Sequence, residues 1–285
     1  MKTHNPYYGR VLPLALALVA GLASTAVAEE IRVPHAELPV KFFTAPDPGA
    51  SAWEGAKAVT IPLFPQVITQ PAMPKVTVPE VVVKALHNDK WLAVRLSWAD
   101  PAPDAAVETD RASDACAIQF PVGEIDKTSP FMGGKDAPVA ILHWKALWQQ
   151  DIDKGFQQVT DLYPNAWADA EVVARTPKEA GGALHVKNPV TRPGRESPVE
   201  ELIAEGFGTL TTKQHQSARG RGVWADGRWT VVLTRPLAAN SPRDASLRIG
   251  TPTGIALAIW DGGQGNIGAR KHYAPWTTLI MEPRR

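Results

Sequence analysis

Apolar side chains recur at every second position along residues 228–235, where Trp229, Val231 and Leu233 are interleaved with Thr230 and Thr234. A period of two marks a half-buried strand, because successive side chains leave a strand on opposite faces. Asp226-Gly227 separates this run from Gly222-Val223-Trp224. An Asp-Gly pair between two such runs predicts a tight hairpin, since glycine accepts the positive φ that the turn demands. A second hairpin is predicted from residues 76–85 and 91–98 around the polar turn His87-Asn88-Asp89-Lys90; its second strand alternates Leu92, Val94, Leu96 and Trp98 with Ala93, Arg95 and Ser97. Further strands are expected over residues 139–148, 254–260 and 276–281, and residues 115–120 form an apolar run. Helical periodicity is confined to residues 199–205, about two turns, and 169–174, about one.

The 26 Pro and 22 Gly suit many short strands and turns better than long helices. No repeat and no composition break separates residues 76–281, so the economical architecture is all-β: one antiparallel β-sandwich with a few short helices. Residues 29–75 are punctuated by eight prolines from Pro34 to Pro74 and are expected to form an extended Pro-rich arm packed on the domain of residues 76–285. Residues 176–196, rich in Gly, Pro, Lys and Arg, read as a long surface loop.

Ahead of the arm, Lys2 and Arg10 precede an apolar run over residues 11–22, and Ala26-Val27-Ala28 offers small residues for cleavage. Residues 1–28 therefore read as a secretory signal, with cleavage near Ala28 and a periplasmic destination expected for the remainder. That run is short for a spanning helix, and no later stretch reaches about 18 uncharged apolar residues, so a membrane-spanning segment is not expected. Cys116 is the single cysteine, which excludes an intramolecular disulfide and covalent haem attachment through Cys-x-x-Cys-His. In an apolar run it is expected to act as a buried hydrophobe.

A balance of 30 Lys+Arg against 29 Asp+Glu gives a net charge of +1 and no electrostatic preference for nucleic acid. No Gly-x-Ser-x-Gly elbow, His-Glu-x-x-His pair or phosphate-cradling loop is present, and the seven His do not cluster at metal-ligand spacing. One stretch stands apart. Phe131-Met132-Gly133-Gly134 sets a methionine on a turn just before an apolar strand, with glycines that let the backbone approach something flat and bulky.

Several ordered motifs carry a family resemblance. VEELIAEGFGTLTTKQHQSARGRGVWADGRWTVVLTRPL over residues 199–237 and IALAIWDGGQGNIGARKHYAPWTTL over residues 255–279 are accompanied by Phe120-Pro121, Phe131-Met132-Gly133, Pro138-Val139 and Trp144-Lys145-Ala146. Together they resemble the haem-b-binding γ subunit family of ethylbenzene dehydrogenase, whose relatives accompany dimethylsulfide dehydrogenase, selenate reductase and chlorate reductase in the dimethyl sulfoxide reductase family. The resemblance implies a β-sandwich holding one non-covalent haem b, its iron ligated by a Met and a Lys. It also implies a non-catalytic role: electrons pass between an iron–sulfur subunit and a soluble c-type cytochrome or similar periplasmic carrier, and a molybdenum subunit of the same complex performs the substrate chemistry.

By motif position the axial ligands implied are Met132 and Lys271, with Trp144 and Trp260, and also Trp276, as haem walls or core. Leu142 departs from the family pattern, which has a bulky aromatic there, and looser haem packing is expected from it. A thioether is soft and neutral and favours ferrous iron. Lysine ligates only as the free amine, which burial and the metal both favour. Read without the resemblance, Lys271 beside Arg270 suits a solvated surface cation equally well, and Met132 a loop methionine filling a gap. His272 is the runner-up ligand, because imidazole is the commoner haem ligand; His143 suits a pocket wall or an exposed face. The competing function class is a ligand- or carbohydrate-binding β-sandwich without haem, in which exposed Trp would stack on sugar rings.

Overall fold

The computed structural model describes residues 30–106, 111–155, 163–165 and 194–284. The signal segment, the helix expected at 169–174 and most of the loop expected at 176–196 lie outside the described residues.

Among the described residues thirteen strands form two sheets. In chain order they are β1 (Ile31–Val33), β2 (Val59–Pro62), β3 (Phe64–Pro65), β4 (Glu80–His87), β5 (Trp91–Ala99), β6 (Ala115–Pro121), β7 (Val139–Lys145), β8 (Val199–Ala204), β9 (Thr211–Thr212), β10 (Arg219–Ala225), β11 (Arg228–Pro236), β12 (Thr253–Trp260) and β13 (His272–Met281). The larger sheet runs β1-β13-β12-β6-β7-β8-β9, with β3 also paired to β13; the smaller runs β10-β11-β5-β4-β2. Every named pairing is antiparallel except that of β1 with β13. This is the β-sandwich expected from the alternation.

Both predicted hairpins form. Asp226 and Gly227 have φ of 52° and 71° between β10 and β11, the positive pair that a type I′ turn requires. Between β4 and β5, Asp89 takes φ 52°, while the Asn88 carboxamide accepts from the Trp91 amide at 3.0 Å and donates to the Leu38 carbonyl at 2.9 Å. Residues 30–75 lie along both sheets: β1 and β3 flank β13, β2 pairs with β4, and α1 (Val40–Thr44) with the turn at Ser51–Gly55 seats Phe43 and Trp53 on the outer face of the smaller sheet.

Two local readings are corrected. Residues 199–204 form β8 rather than a helix. The Glu200-Glu201 pair within them is buried and partnered from both sides of the sheet. Lys145 donates to Glu200 at 2.5 Å, while Glu201 accepts from Lys213 at 3.2 Å and from the Ala218 amide at 3.0 Å. Tertiary pairing overrides a local pattern. The strand expected over 139–148 ends at Lys145, and α2 (Ala146–Lys154) follows it; Ala, Leu, Gln and Lys favour helix once the pairing stops.

Alternation sorts the interior. Leu92, Val94, Leu96 and Trp98 of β5, Cys116, Ile118 and Phe120 of β6, Leu142 and Trp144 of β7, and Ile255, Leu257 and Ile259 of β12 meet in one core between the sheets. Cys116 is the buried hydrophobe anticipated. Trp144 is pinned there: its indole donates to Gln149 at 3.1 Å, and Gln149 bonds the Gly222 backbone in both directions at 2.6 and 2.7 Å. A Cβ on Gly222 would fall into the Trp144 ring. Gly222→Ala is expected to destabilise the fold by about 1–3 kcal/mol through overpacking, whereas Gly123→Ala, with nothing within 4 Å of the added carbon, should stay within about 0.5 kcal/mol of wild type. Urea midpoints of the two variants check the difference.

Candidate functional site

The face of the larger sheet turned away from the core is apolar too. Ala115 and Ala117 of β6, Ile141 of β7, Leu202 of β8, and Ala258 and Trp260 of β12 form a second buried cluster there, with Met132 packed against it. Alanines at neighbouring positions on adjacent strands leave room above the sheet. The cavity over them measures about 350 Å³, within the range of cofactor and small-molecule sites. His143 and Trp260 line one side with ring centroids 4.9 Å apart, and Phe131 and Tyr273 line another, edge to face at 5.5 Å.

Met132 and Lys271, 139 residues apart in the chain, face each other in this cavity with Sδ and Nζ 4.0 Å apart. Met132 adopts φ 68°, and Gly133 after it does the same. A left-handed methionine is uncommon and costs on the order of 1 kcal/mol, so the surroundings must enforce it. They do so through the Met132 carbonyl, which accepts from the Gly206 amide at 2.8 Å, and the Gly133 amide, which donates to Ser129 at 3.1 Å. Gly133 is also irreplaceable on space, since a Cβ there would lie 2.7 Å from the Ala137 carbonyl oxygen. The result aims the thioether over the alanine floor.

Lys271 is braced from behind. Its carbonyl accepts from the Gln66 amide at 3.0 Å, the Gln66 side chain donates to Ala269 at 3.0 Å, and the Trp260 indole donates to Gly268 at 3.0 Å. The amine lies 5.1 Å from the Trp260 ring centroid and has no carboxylate partner among the described residues. Burial pushes it down to about 8, towards the free base. Burial, and behind it the charges of Lys145 and Lys271, likewise holds His143 well below its ordinary value; its Nε2 has no hydrogen-bond partner.

The remaining expectations separate by strand parity. Trp144 does not line the cavity: one residue beyond His143, it points into the core between the sheets. Leu142 also points inward, so it cannot loosen packing in this cavity. Trp276 packs at the margin of the outer cluster and donates to the Thr128 carbonyl at 2.8 Å. His272, next to Lys271, lies outside the cavity. Its Nε2 accepts from the amides of Thr77 and Val78 at 2.9 and 3.2 Å, and burial lowers it to about 4. The alanine floor and Gln66 were not singled out from sequence; small residues at alternate positions of β6 and β12 were the available signal for the floor.

A soft, neutral sulfur facing an amine held towards its free-base form is a donor pair for a transition metal. Their separation is about twice a metal–ligand bond on the order of 2 Å. An apolar floor beneath them suits the body of a large cofactor. Residues 50–272 match the sequence model of the family described as ethylbenzene dehydrogenase. The chain belongs to the ethylbenzene dehydrogenase family. A protein of Haloferax mediterranei that carries the name of a respiratory nitrate reductase haem subunit is 24% identical over 278 residues, covering 96% of this chain and 83% of its own. The chlorate reductase γ subunit of Ideonella dechloratans is 26% identical over 271 residues, 92% of each chain. Among solved structures, a family 9 carbohydrate-binding module of Caldicellulosiruptor kristjanssonii in complex with cellotriose aligns with TM-score 0.45 and 11% identity, over 90% of this chain and 95% of that one; so distant a likeness carries no argument.

The left-handed turn gives a direct test. Met132→Gly and Met132→Ala both remove the thioether, but only glycine relaxes at φ 68°. Met132→Gly is expected to be the more stable of the two by about 1 kcal/mol, measured as the difference in urea midpoint between the variants.

Proposed function

We propose that this chain is the haem b-carrying electron-transfer subunit of a periplasmic molybdenum oxidoreductase complex, in which Met132 and Lys271 would hold the iron of one non-covalent haem. The observation that carries the reading is the thioether meeting, at 4.0 Å in an apolar cavity of the larger sheet, an amine that has no carboxylate partner among the described residues. The relatives' names, a nitrate reductase haem subunit and a chlorate reductase γ subunit, support it. Haem b, when bound, supplies a reversible one-electron centre.

The chain's own residues set the terms on which such a centre works. Met132 contributes a neutral, soft donor that favours the reduced metal and raises its potential. Lys271 contributes a nitrogen lone pair, available because burial disfavours its ammonium form. Ala117, Ala258, Ile141 and Trp260 exclude water from the cavity floor, which strengthens the electrostatic influence of nearby groups. In this reading a molybdenum subunit of the same complex does the substrate chemistry. Electrons would pass between an iron–sulfur subunit and a soluble c-type cytochrome or similar carrier, after export and removal of residues 1–28. Among the described residues no helix is long and apolar enough to cross a membrane. The carbohydrate-binding reading draws no support from the tryptophans, since none of those described is exposed.

Optical and redox spectroscopy of the full chain tests the ligands. Wild type is expected to show a low-spin haem b spectrum with pigment that extracts into acidified acetone. Lys271→Ala should lose the low-spin spectrum at pH 7, and Lys271→Arg should not restore it, because guanidinium stays protonated and has no lone pair to give. Met132→Ala should keep haem with a lower potential or altered spin state. His272→Ala should leave the spectrum unchanged; a spectrum lost in His272→Ala but intact in Lys271→Ala would replace the Met/Lys assignment with Met/His.

A further inference from the structure

Three carboxylates from three strand ends converge where the two sheets meet, beside the cavity. Asp100 follows β5, Asp114 precedes β6 and Asp261 follows β12. Each can offer one oxygen such that all three lie within 4.8 Å of one another. They are 1%, 0% and 5% exposed, and no Lys or Arg pairs with any of them among the described residues. Arg111 lies 3.9 Å from Asp104, and Lys75, whose charge reaches Asp261, donates to Gln264 at 3.2 Å.

Hydrogen bonds account for part of this charge only. Asp114 accepts from the Gly262 amide at 2.8 Å on one oxygen, and from the Asp104 amide at 2.6 Å and the Trp229 indole at 2.9 Å on the other. Asp261 accepts from the Gln264 amide at 3.1 Å, and Asp100 from the Ala102 amide at 3.2 Å. The second oxygen of Asp100 is buried without a well-formed hydrogen bond, with the Trp98 indole as its neighbouring donor. The Trp98 indole nitrogen faces Asp100 and the Thr77 hydroxyl faces Asp261, each a buried donor contact that falls short of a well-formed hydrogen bond. Elsewhere the same fold pairs its buried acids, as Lys213 does with Glu201 at 3.2 Å and Asp244 at 3.0 Å. Burial, aided by mutual repulsion, raises Asp114 to about 8 and Asp100 to about 6, the response of carboxylates that lack a counter-charge.

We propose that Asp100, Asp114 and Asp261 hold a structural calcium ion that ties the end of β5 in the smaller sheet to β6 and β12 in the larger. Oxygen-only donors, three of them anionic, select a hard divalent cation. Irregular loops that follow or precede strands suit calcium, which takes 6–8 oxygens in flexible geometry, better than magnesium, which demands near-ideal octahedral placement. The Thr77 hydroxyl and water would complete the shell. The site is distinct from the Met132 and Lys271 donor pair and stands whether or not that pair binds haem.

Elemental analysis and thermal unfolding of the full chain test this. Protein purified in calcium-containing buffer and then desalted is expected to retain one calcium per chain. EGTA should lower Tm by roughly 5–10 °C relative to calcium at about a hundredfold excess over Kd, and calcium should restore it better than equimolar magnesium. Asp100→Asn and, separately, Asp261→Asn should abolish the calcium response while leaving the visible spectrum unchanged. Wild-type protein that retains no calcium and whose Tm ignores both EGTA and millimolar calcium would overturn the proposal. So would a calcium response that survives in both variants. If either variant fails to fold, the wild-type metal content and calcium titration still decide.

Discussion

The larger sheet is greasy on both faces, and most of the architecture answers to that. β6 is buried along its whole length and β12 nearly so. One face is satisfied by the smaller sheet across the main core. An apolar patch on the other face cannot simply be left to water in a stable monomeric protein. Loops supply a partial cover: the Phe131–Gly133 turn from one side and the segment before β13 from the other. What they leave between them is the cavity in which the two donor atoms meet, so cofactor-sized space follows from a double-faced sheet with alanines on its outer side.

Buried charge separates support from function in the same frame. Glu201, Lys213, Asp244 and Arg235 form a network, each 6% exposed or less, in which every member has an opposite charge within 3.4 Å. Such networks are neutral to costly in stability but fix geometry, and this one anchors β8 and the connection into β10. Among the described residues Lys271 has no such partner, and its neighbours are a thioether and an indole ring. Unlike the members of that network, this amine stands without an opposite charge among the described residues, where a metal could take the lone pair.

The strands were legible because their signals are local. Leu92 to Trp98 and the Asp226-Gly227 turn announce themselves within ten residues, and the structure has both. β8 was misread because Glu200 and Glu201 owe their burial to Lys145 and Lys213, whose proximity depends on the finished sheet. Trp144 was placed on the wrong face by one step of parity: a strand's two faces are equally apolar here, so hydrophobicity could not say which residue looks outward. Met132 and Lys271 carry no mutual pattern, and only the family resemblance pointed to the pair. The converging aspartates are likewise invisible until pairing of Ala115 with Trp260 brings the flanks of β6 and β12 together.

The parallel pairing of β1 with β13 sets Ile31 opposite Leu279. A contact of that sequence separation is among the slowest kinds to form, since the intervening chain must first be brought into register. During synthesis, Met132 and most of the alanine floor exist long before Lys271, which directly precedes β13. The clasp across the cavity therefore shuts only when the last strand of the larger sheet docks. Until then the chain presents an open apolar tray, and a bulky flat guest could be laid in from above instead of threaded through a finished wall.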